Sequence, residues 1–221
     1  MQTRMEEQRF IAGREKYVML AGLILALGFF SLPVGTWLDQ FANLARMITY
    51  ELIIWSWVAL MLLYVRRVER KPLSSIGFRM PGVRDGIIGV LAGMLILVAL
   101  GLIYYVVFPL LHWNEQQQID HVAVMPYWLS VLVVVRAAVS EEILFRGYAI
   151  ERIQELTGSR SIAGVVSCLV FTLDHIGFWG WHHVFIAGLA GAILTLLYLW
   201  RRNLWINMLA HFMVDAAAFL L

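Results

Sequence analysis

The chain reads as an all-α protein, a polytopic integral membrane helical bundle of about seven transmembrane helices. Three observations predict this. The 221 residues are 61% hydrophobic and only 14% charged, whereas soluble domains carry about 25% charge and 45–50% apolar residues; mean hydropathy is +0.76. The apolar residues gather into seven runs, near 17–38, 47–65, 87–111, 127–150, 160–176, 183–200 and 204–221. Each approaches the roughly 20 residues that cross a bilayer as a helix, the element that satisfies its own backbone in lipid. The basic residues fall on one side of an alternating seven-span path. Fifteen of the 17 Lys and Arg lie there, leaving Arg46 opposite and Arg136 within a span.

The elements follow in order. Before the first run stands MQTRMEEQRFIAGREKY, which mixes charges and offers no small-residue cleavage site, so no removable signal peptide is expected. The positive-inside bias places this end in the cytoplasm and the C-terminus outside. The 66–86 loop, RRVERKPLSSIGFRMPGVRDG, has a proline near each end and is expected to set topology and touch lipid headgroups. The 112–126 loop, HWNEQQQIDHVAVMP, has no Lys or Arg, as suits an outside loop with solvated His112 and His121. LTGSR, around Gly158, marks a helix stop and restart between the fourth and fifth runs. GFWGWHHVF, with His182 and His183, has the aromatic character of a membrane interface. Gly188, Gly191 and Ala192 suit close helix packing. No linker or repeat divides the chain, so residues 1–221 are expected to form a single membrane-embedded domain.

Composition also bounds partners. A net charge of +2 gives nucleic acid no footing, and the expected partners are membrane lipids and a membrane-associated peptide or protein. The one cysteine, Cys168, permits no disulfide or CxxC site within the chain and is expected to be a small buried apolar residue.

Chemistry concentrates in four polar clusters in or beside the runs. These are Glu141, Glu142 and Arg146; Asp174 and His175; His182 and His183; and His211 with Asp215. An acid in a bilayer costs roughly 2.5 kcal/mol or more, so an intramembrane carboxylate is a functional signal. Glu142–Arg146 and His211–Asp215 are i, i+4 pairs that share a helix face. Glu141 is turned about 100° from Glu142, so the two acids need not share partners. Arg136 is placed to snorkel or to neutralise a nearby acid, while Asp174 is expected to face water at a helix end.

Depth brings the clusters together. Glu142 is 16 residues before Gly158 and His175 is 17 after it. Both therefore stand about 24–26 Å from the turn on antiparallel helices. His211 is about 12 Å into its own helix. The expected site is a wet cavity within the membrane, open toward the cytoplasm. A carboxylate facing a neutral imidazole activates water, and a second histidine can polarise a carbonyl. The set Glu141, His175, His211 and Asp215 also suits Zn²⁺ with an open position. Spacing does not separate these chemistries, though no HExxH is present. Two other classes stand beside hydrolysis. One is a non-catalytic partner-binding or immunity protein, and the other a small transporter using the Glu pair for protons.

Three motifs then resemble a known family. EEILFRG, residues 141–147, is similar to the EExxxR motif of the CAAX protease and bacteriocin-processing (CPBP, or Abi) intramembrane protease family. FTLDH, with Phe171 and His175, resembles its FxxxH motif, and HFMVD, with His211 and Asp215, its HxxxN/D motif. The resemblance covers roughly residues 125–219. It implies an all-helical integral membrane endopeptidase of a multi-pass cell (inner) membrane, acting on membrane-associated, CAAX-like lipid-anchored substrates among others. It implies that Glu141 and His175 activate the water, that His211 and Asp215 support the oxyanion, and that Glu142 and Arg146 organise the site. Both a metal and a glutamate-activated water have been argued for the family. Asp215 stands where some members have Asn. An ionised Asp donates no hydrogen bond, so it must be protonated, orient His211 or bind a metal.

Overall fold

The computed structural model describes residues 2–28, 43–113 and 125–220. Among these residues there are helices and no strands. α1 is Gln2–Gly28 and α2 is Asn43–Leu63, which widens into a π turn at Tyr64–Val68. α3 is Val83–Leu102, followed by a second π turn at Ile103–Val107. α4, Tyr127–Glu141, runs through a π segment, Glu142–Ile150, into α5, Glu151–Thr157. α6 is Arg160–Asp174, α7 is Val184–Arg201 and α8 is Leu204–Phe219.

Four helical stretches are long and apolar enough to cross a membrane: Leu44–Val68, Val83–Leu110, Arg160–Trp179 and Trp181–Arg201. Leu204–Phe219 is apolar but shorter. The expected 127–150 run is helical, yet Arg136, Glu141, Glu142 and Arg146 interrupt its apolarity. The expected 17–38 run lies only partly within the described residues, as does the 112–126 loop, whose His121 lies outside them. The integral membrane character is plain from an inverted surface. The most apolar helix, Val83–Leu110, has only 17% of its most hydrophobic window buried, and Leu91, Leu95, Val98 and Leu102 point outward. Buried instead are Glu51, Glu142, Arg146, Glu151, Arg152, Asn207 and His211. A water-soluble core sorts the other way.

The turn at Gly158 forms as its residues dictate. Gly158 takes φ 72°, the left-handed value that favours glycine. Ser159 then caps α6 by accepting from the Ile162 N–H. Asn203 caps α8 in the same way through Trp205 N–H. α6 lies against α7 and against the π segment, and α8 against α3 and α4. Gly191 makes the α6–α7 approach close, since a Cβ there would stand 2.9 Å from Phe171 Cδ1. The expected packing role of this glycine is thus met.

One end of the bundle gathers ion pairs between helices. Arg152, fully buried, reaches Glu69 Oε2 at 2.6 Å, Glu155 Oε1 at 2.8 Å and Ser75 Oγ at 3.1 Å. Burial works against its charge, but the Glu69 hydrogen bonds and charge outweigh this and hold its pKa above the ordinary arginine value. Tyr148 donates to Glu69 Oε1 at 2.7 Å, Lys71 pairs with Glu155, and Arg201 reaches Asp85 Oδ1 at 2.6 Å. Arg202 and Tyr198 both hold Glu151. The 66–86 loop therefore does more than face lipid. Its Glu69 and Ser75 anchor α5, its Ile76 is buried, and Gly77 O accepts from Leu204 N–H at the start of α8. Cys168, on α6, is half-buried rather than enclosed.

Candidate active site

α4, α6 and α8 each bring one polar cluster to a common level. The antiparallel α4–α6 pairing around Gly158 sets Glu141 beside His175, with Glu141 Oε2 3.9 Å from His175 Nε2. α8 enters from the side and puts His211 Nε2 3.9 Å from the same oxygen. Asp215, one turn on, lies 3.5 Å from His211 Nε2 through Oδ2. The depth argument from sequence thus holds, and Glu141, His175, His211 and Asp215 share one space.

The two acids divide their surroundings. Glu142 is fully enclosed. Its Oε1 accepts from Arg146 Nη1 at 3.0 Å and meets His211 Nδ1 at 2.9 Å, and its Oε2 accepts from Asn207 Nδ2 at 3.1 Å. Glu141 keeps some exposure, and its charged neighbours stand off at 3.8–3.9 Å. One carboxylate is therefore bound up in structure, and its neighbour is held more loosely.

Arg146 lies behind the site. It is fully buried, donates from Nη2 to Gly191 O at 3.2 Å, and stacks its guanidinium 4.0 Å over the Phe171 ring. The glycine at 191 gives both groups access to α7. Arg146 thus ties Glu142 to α6 and α7 without entering the space beside Glu141. The whole π segment is buried, and such widened turns recur at functional sites. Gly147 permits its close packing, since a Cβ there would meet Ile76 O at 2.7 Å.

Hydrogen bonds also set the histidine orientations. His175 Nδ1 lies 2.7 Å from Phe171 O. A carbonyl only accepts, so Nδ1 carries the proton and the neutral ring offers a lone pair at Nε2 toward Glu141. His211 faces carboxylates at both nitrogens, Glu142 at Nδ1 and Glu141 with Asp215 at Nε2. It can hold a proton on each. Glu141 Oε2 thus faces the Nε2 atoms of both rings.

Zinc is a poorer match to this spacing. The 3.9 Å separations exceed the edge of about 3.3 Å between neighbouring ligands of a tetrahedral Zn²⁺ with bonds of roughly 2.0–2.1 Å. Among the described residues no three His, Cys, Asp or Glu side chains form a group able to hold a metal ion.

His182 packs on Trp113 and Trp181, in keeping with the aromatic character of GFWGWHHVF. His183 stacks on the outer face of His175, with centroids 5.9 Å apart, and on Trp179. Asp174 does not simply face water: its Oδ2 is buried without a hydrogen-bond partner. Two participants went unread in the sequence. Asn207 was legible as the first rung of a four-residue ladder, Asn207–His211–Asp215, on one face of α8. Glu51, an acid within the 47–65 run, meets the same criterion that picked out Glu141. It pairs with Arg136 across 3.2 Å, and Arg136 also reaches Glu141 Oε1 at 3.8 Å, so the arginine neutralises acids rather than snorkelling.

The family model for "Type II CAAX prenyl endopeptidase Rce1-like" matches residues 123–217. This segment holds Glu141, His175, His211 and Asp215 and nearly coincides with the 125–219 covered by the motifs. No curated protein and no solved structure matches the chain.

Proposed function

We infer, from the premise that residues 123–217 belong to the Rce1-like family of type II CAAX prenyl endopeptidases, that this protein is an intramembrane endopeptidase using Glu141 to activate water. The observation that carries this reading is the convergence of His175 Nε2 and His211 Nε2 on Glu141 Oε2, each at 3.9 Å.

The reaction proceeds from that geometry. A water donates one hydrogen to Glu141 and the other to His175 Nε2, leaving an oxygen lone pair free for the scissile carbonyl carbon. As the C–O bond forms, Glu141 takes the proton. His211 Nε2–H donates to the developing oxyanion, and Glu142 at Nδ1 keeps the ring oriented and charged. The C–N bond then breaks, and the proton on Glu141 passes to the leaving nitrogen. One water and one peptide bond become a carboxylic acid and an amine. Asp215, beside His211 Nε2, orients and charge-balances the ring rather than donating to the oxyanion. General base catalysis of this kind contributes about 10²–10⁴-fold.

The substrate class is a membrane-associated peptide or protein, with lipid-anchored CAAX-like chains among those to be tried. The basic end of the bundle faces the cytoplasm in this reading, by the positive-inside rule. Cysteines introduced into the 112–126 loop should then label only from outside a sealed cell or vesicle. Neither the transporter nor the binding-protein reading gains support, since the family match is to an endopeptidase.

The test pairs wild type with Glu141→Gln in detergent. Both are incubated with membrane-associated peptides, prenylated and unprenylated, and cleavage is read by mass spectrometry with and without a chelator. Cleavage by wild type alone, insensitive to chelation, is expected. Chelator-sensitive cleavage restored by Zn²⁺ would replace the water-only chemistry with a metal. Equal cleavage by the two proteins would sink the role of Glu141.

A further inference from the structure

We propose that Arg136 and Glu51 form a positioning pair for Glu141, in which α2, outside the family-matched segment, holds the general base in its reactive orientation. The inference rests on the peptidase reading and extends it to residues that none of the family-like motifs contains.

The geometry is a three-residue line across two helices. Glu51 on α2 is buried, and both its oxygens accept from Arg136 Nε, at 3.2 and 3.3 Å. Arg136 sits five residues before Glu141 on α4. Its Nη1 stands 3.8 Å from Glu141 Oε1. Oε1 is thus turned to the guanidinium, while Oε2 is turned to the two histidines. The line gives the carboxylate a front and a back.

A buried ion pair holds helices together well only where further hydrogen bonds offset its desolvation, as Tyr148, Ser75 and Glu155 do for Glu69 and Arg152. A Glu51–Arg136 pair within apolar helices therefore asks for another reason. The charges supply one. Glu141 is faced by Tyr50 and Glu51 from α2, by His175 and Asp174 from α6, and by His211 and Asp215 from α8. Arg136 is a permanent cation paired with Glu141, while Arg146 is committed to Glu142 and Gly191 O. Glu51 keeps that cation from collapsing onto Glu141, leaving the 3.8 Å contact loose enough for the base to exchange a proton. Arg136 meets the site through its contact with Glu141 Oε1, so in this proposal it acts through Glu141.

The test compares Arg136→Gln, Arg136→Lys and Glu51→Gln with wild type and Glu141→Gln, all checked for folding by gel filtration and thermal melting. Arg136→Gln should lower kcat about 10–100-fold with KM within about twofold, as misplacing a base by an ångström does. Arg136→Lys should recover most of that loss, and Glu51→Gln should fall between. A substrate-independent arm uses a hydrophobic carbodiimide, which consumes uncharged carboxylic acids. Mass spectrometry should find Glu141 modified several times faster in Arg136→Gln than in wild type or Arg136→Lys. Wild-type kcat and wild-type labelling in Arg136→Gln would overturn the proposal, as would Arg136→Lys behaving like Arg136→Gln in both. If no protein cleaves any peptide, the peptidase reading fails, while the labelling still decides whether Arg136 governs Glu141. If Arg136→Gln does not fold, Arg136→Lys and Glu51→Gln carry the same decision.

Discussion

Two polar clusters lie in this bundle, and they are built to opposite specifications. At the basic end, Glu69 accepts from Tyr148 Oη at 2.7 Å and from Arg152 at 2.6–3.1 Å, and Arg152 also holds Glu155 and Ser75. At the candidate site, Glu141 has its arginine and two histidines at 3.8–3.9 Å, and His211 meets Asp215 at 3.5 Å. The first cluster is held by short hydrogen bonds throughout. The second meets its charged partners at longer range around Glu141 and closely only behind, where Glu142 takes three partners. Satisfied charges lock helices, whereas a loosely held carboxylate beside open imidazole nitrogens is available for chemistry.

Variants that exchange these properties should break the comparison if it is wrong. The largest effect is expected from Glu141→Gln, which should reduce turnover by about 10³-fold while leaving the melting temperature near wild type. A melt that collapses with the turnover would mean that Glu141 is structural. Arg152→Ala should do the reverse. It strands buried Glu69 and should cost about 3–5 kcal/mol of stability, with the folded fraction retaining normal turnover per molecule. Denaturation curves with activity measured on the surviving fraction would separate the two.

Asn207→Leu should fall between the clusters. It removes the donor to Glu142 Oε2, at a cost of about 1–3 kcal/mol for the unpaired acceptor, and loosens His211 through Glu142. Stability and kcat should drop together. Gly191→Ala should act at about the same scale, 1–3 kcal/mol from overpacking against Phe171, and a structure should show the Phe171 ring and Arg146 displaced. The smallest effect is expected from Lys71→Ala. Its pair with Glu155 is about a third exposed on each side, and such pairs contribute about 0–1 kcal/mol. A loss as large as that of Arg152→Ala would show that the basic end is one cooperative network.

Much of the site could be read from one dimension because it is written in helical spacing. Glu142 with Arg146 and His211 with Asp215 are four-residue pairs, and a helix turns such pairs to one face wherever it lies. The level of Glu141 with His175 followed from counting residues either side of Gly158. Asn207 belongs to the same arithmetic, but an uncharged amide in an apolar run is a weaker signal than an acid because it costs less to bury. Glu51 and Arg136 are different. They are 85 residues apart, and no periodicity links α2 to α4. The burial of Asp174 Oδ2 and the anchoring of the 66–86 loop on α5 and α8 also depend on which helices touch.

The sequence by itself determined a helical membrane protein, a hairpin at Gly158, and the faces on which the acids and histidines lie, because each depends on hydrophobicity or on a spacing of a few residues. Tertiary structure alone decided how the work divides between the two adjacent glutamates. Both are carboxylates on neighbouring positions of one helix. Only the packing of α6, α7 and α8 surrounds Glu142 with Arg146, Asn207 and His211 and leaves Glu141 partly open. The physical reason is that a side chain's neighbours across helices fix its solvation and its partners, and local spacing carries no record of them.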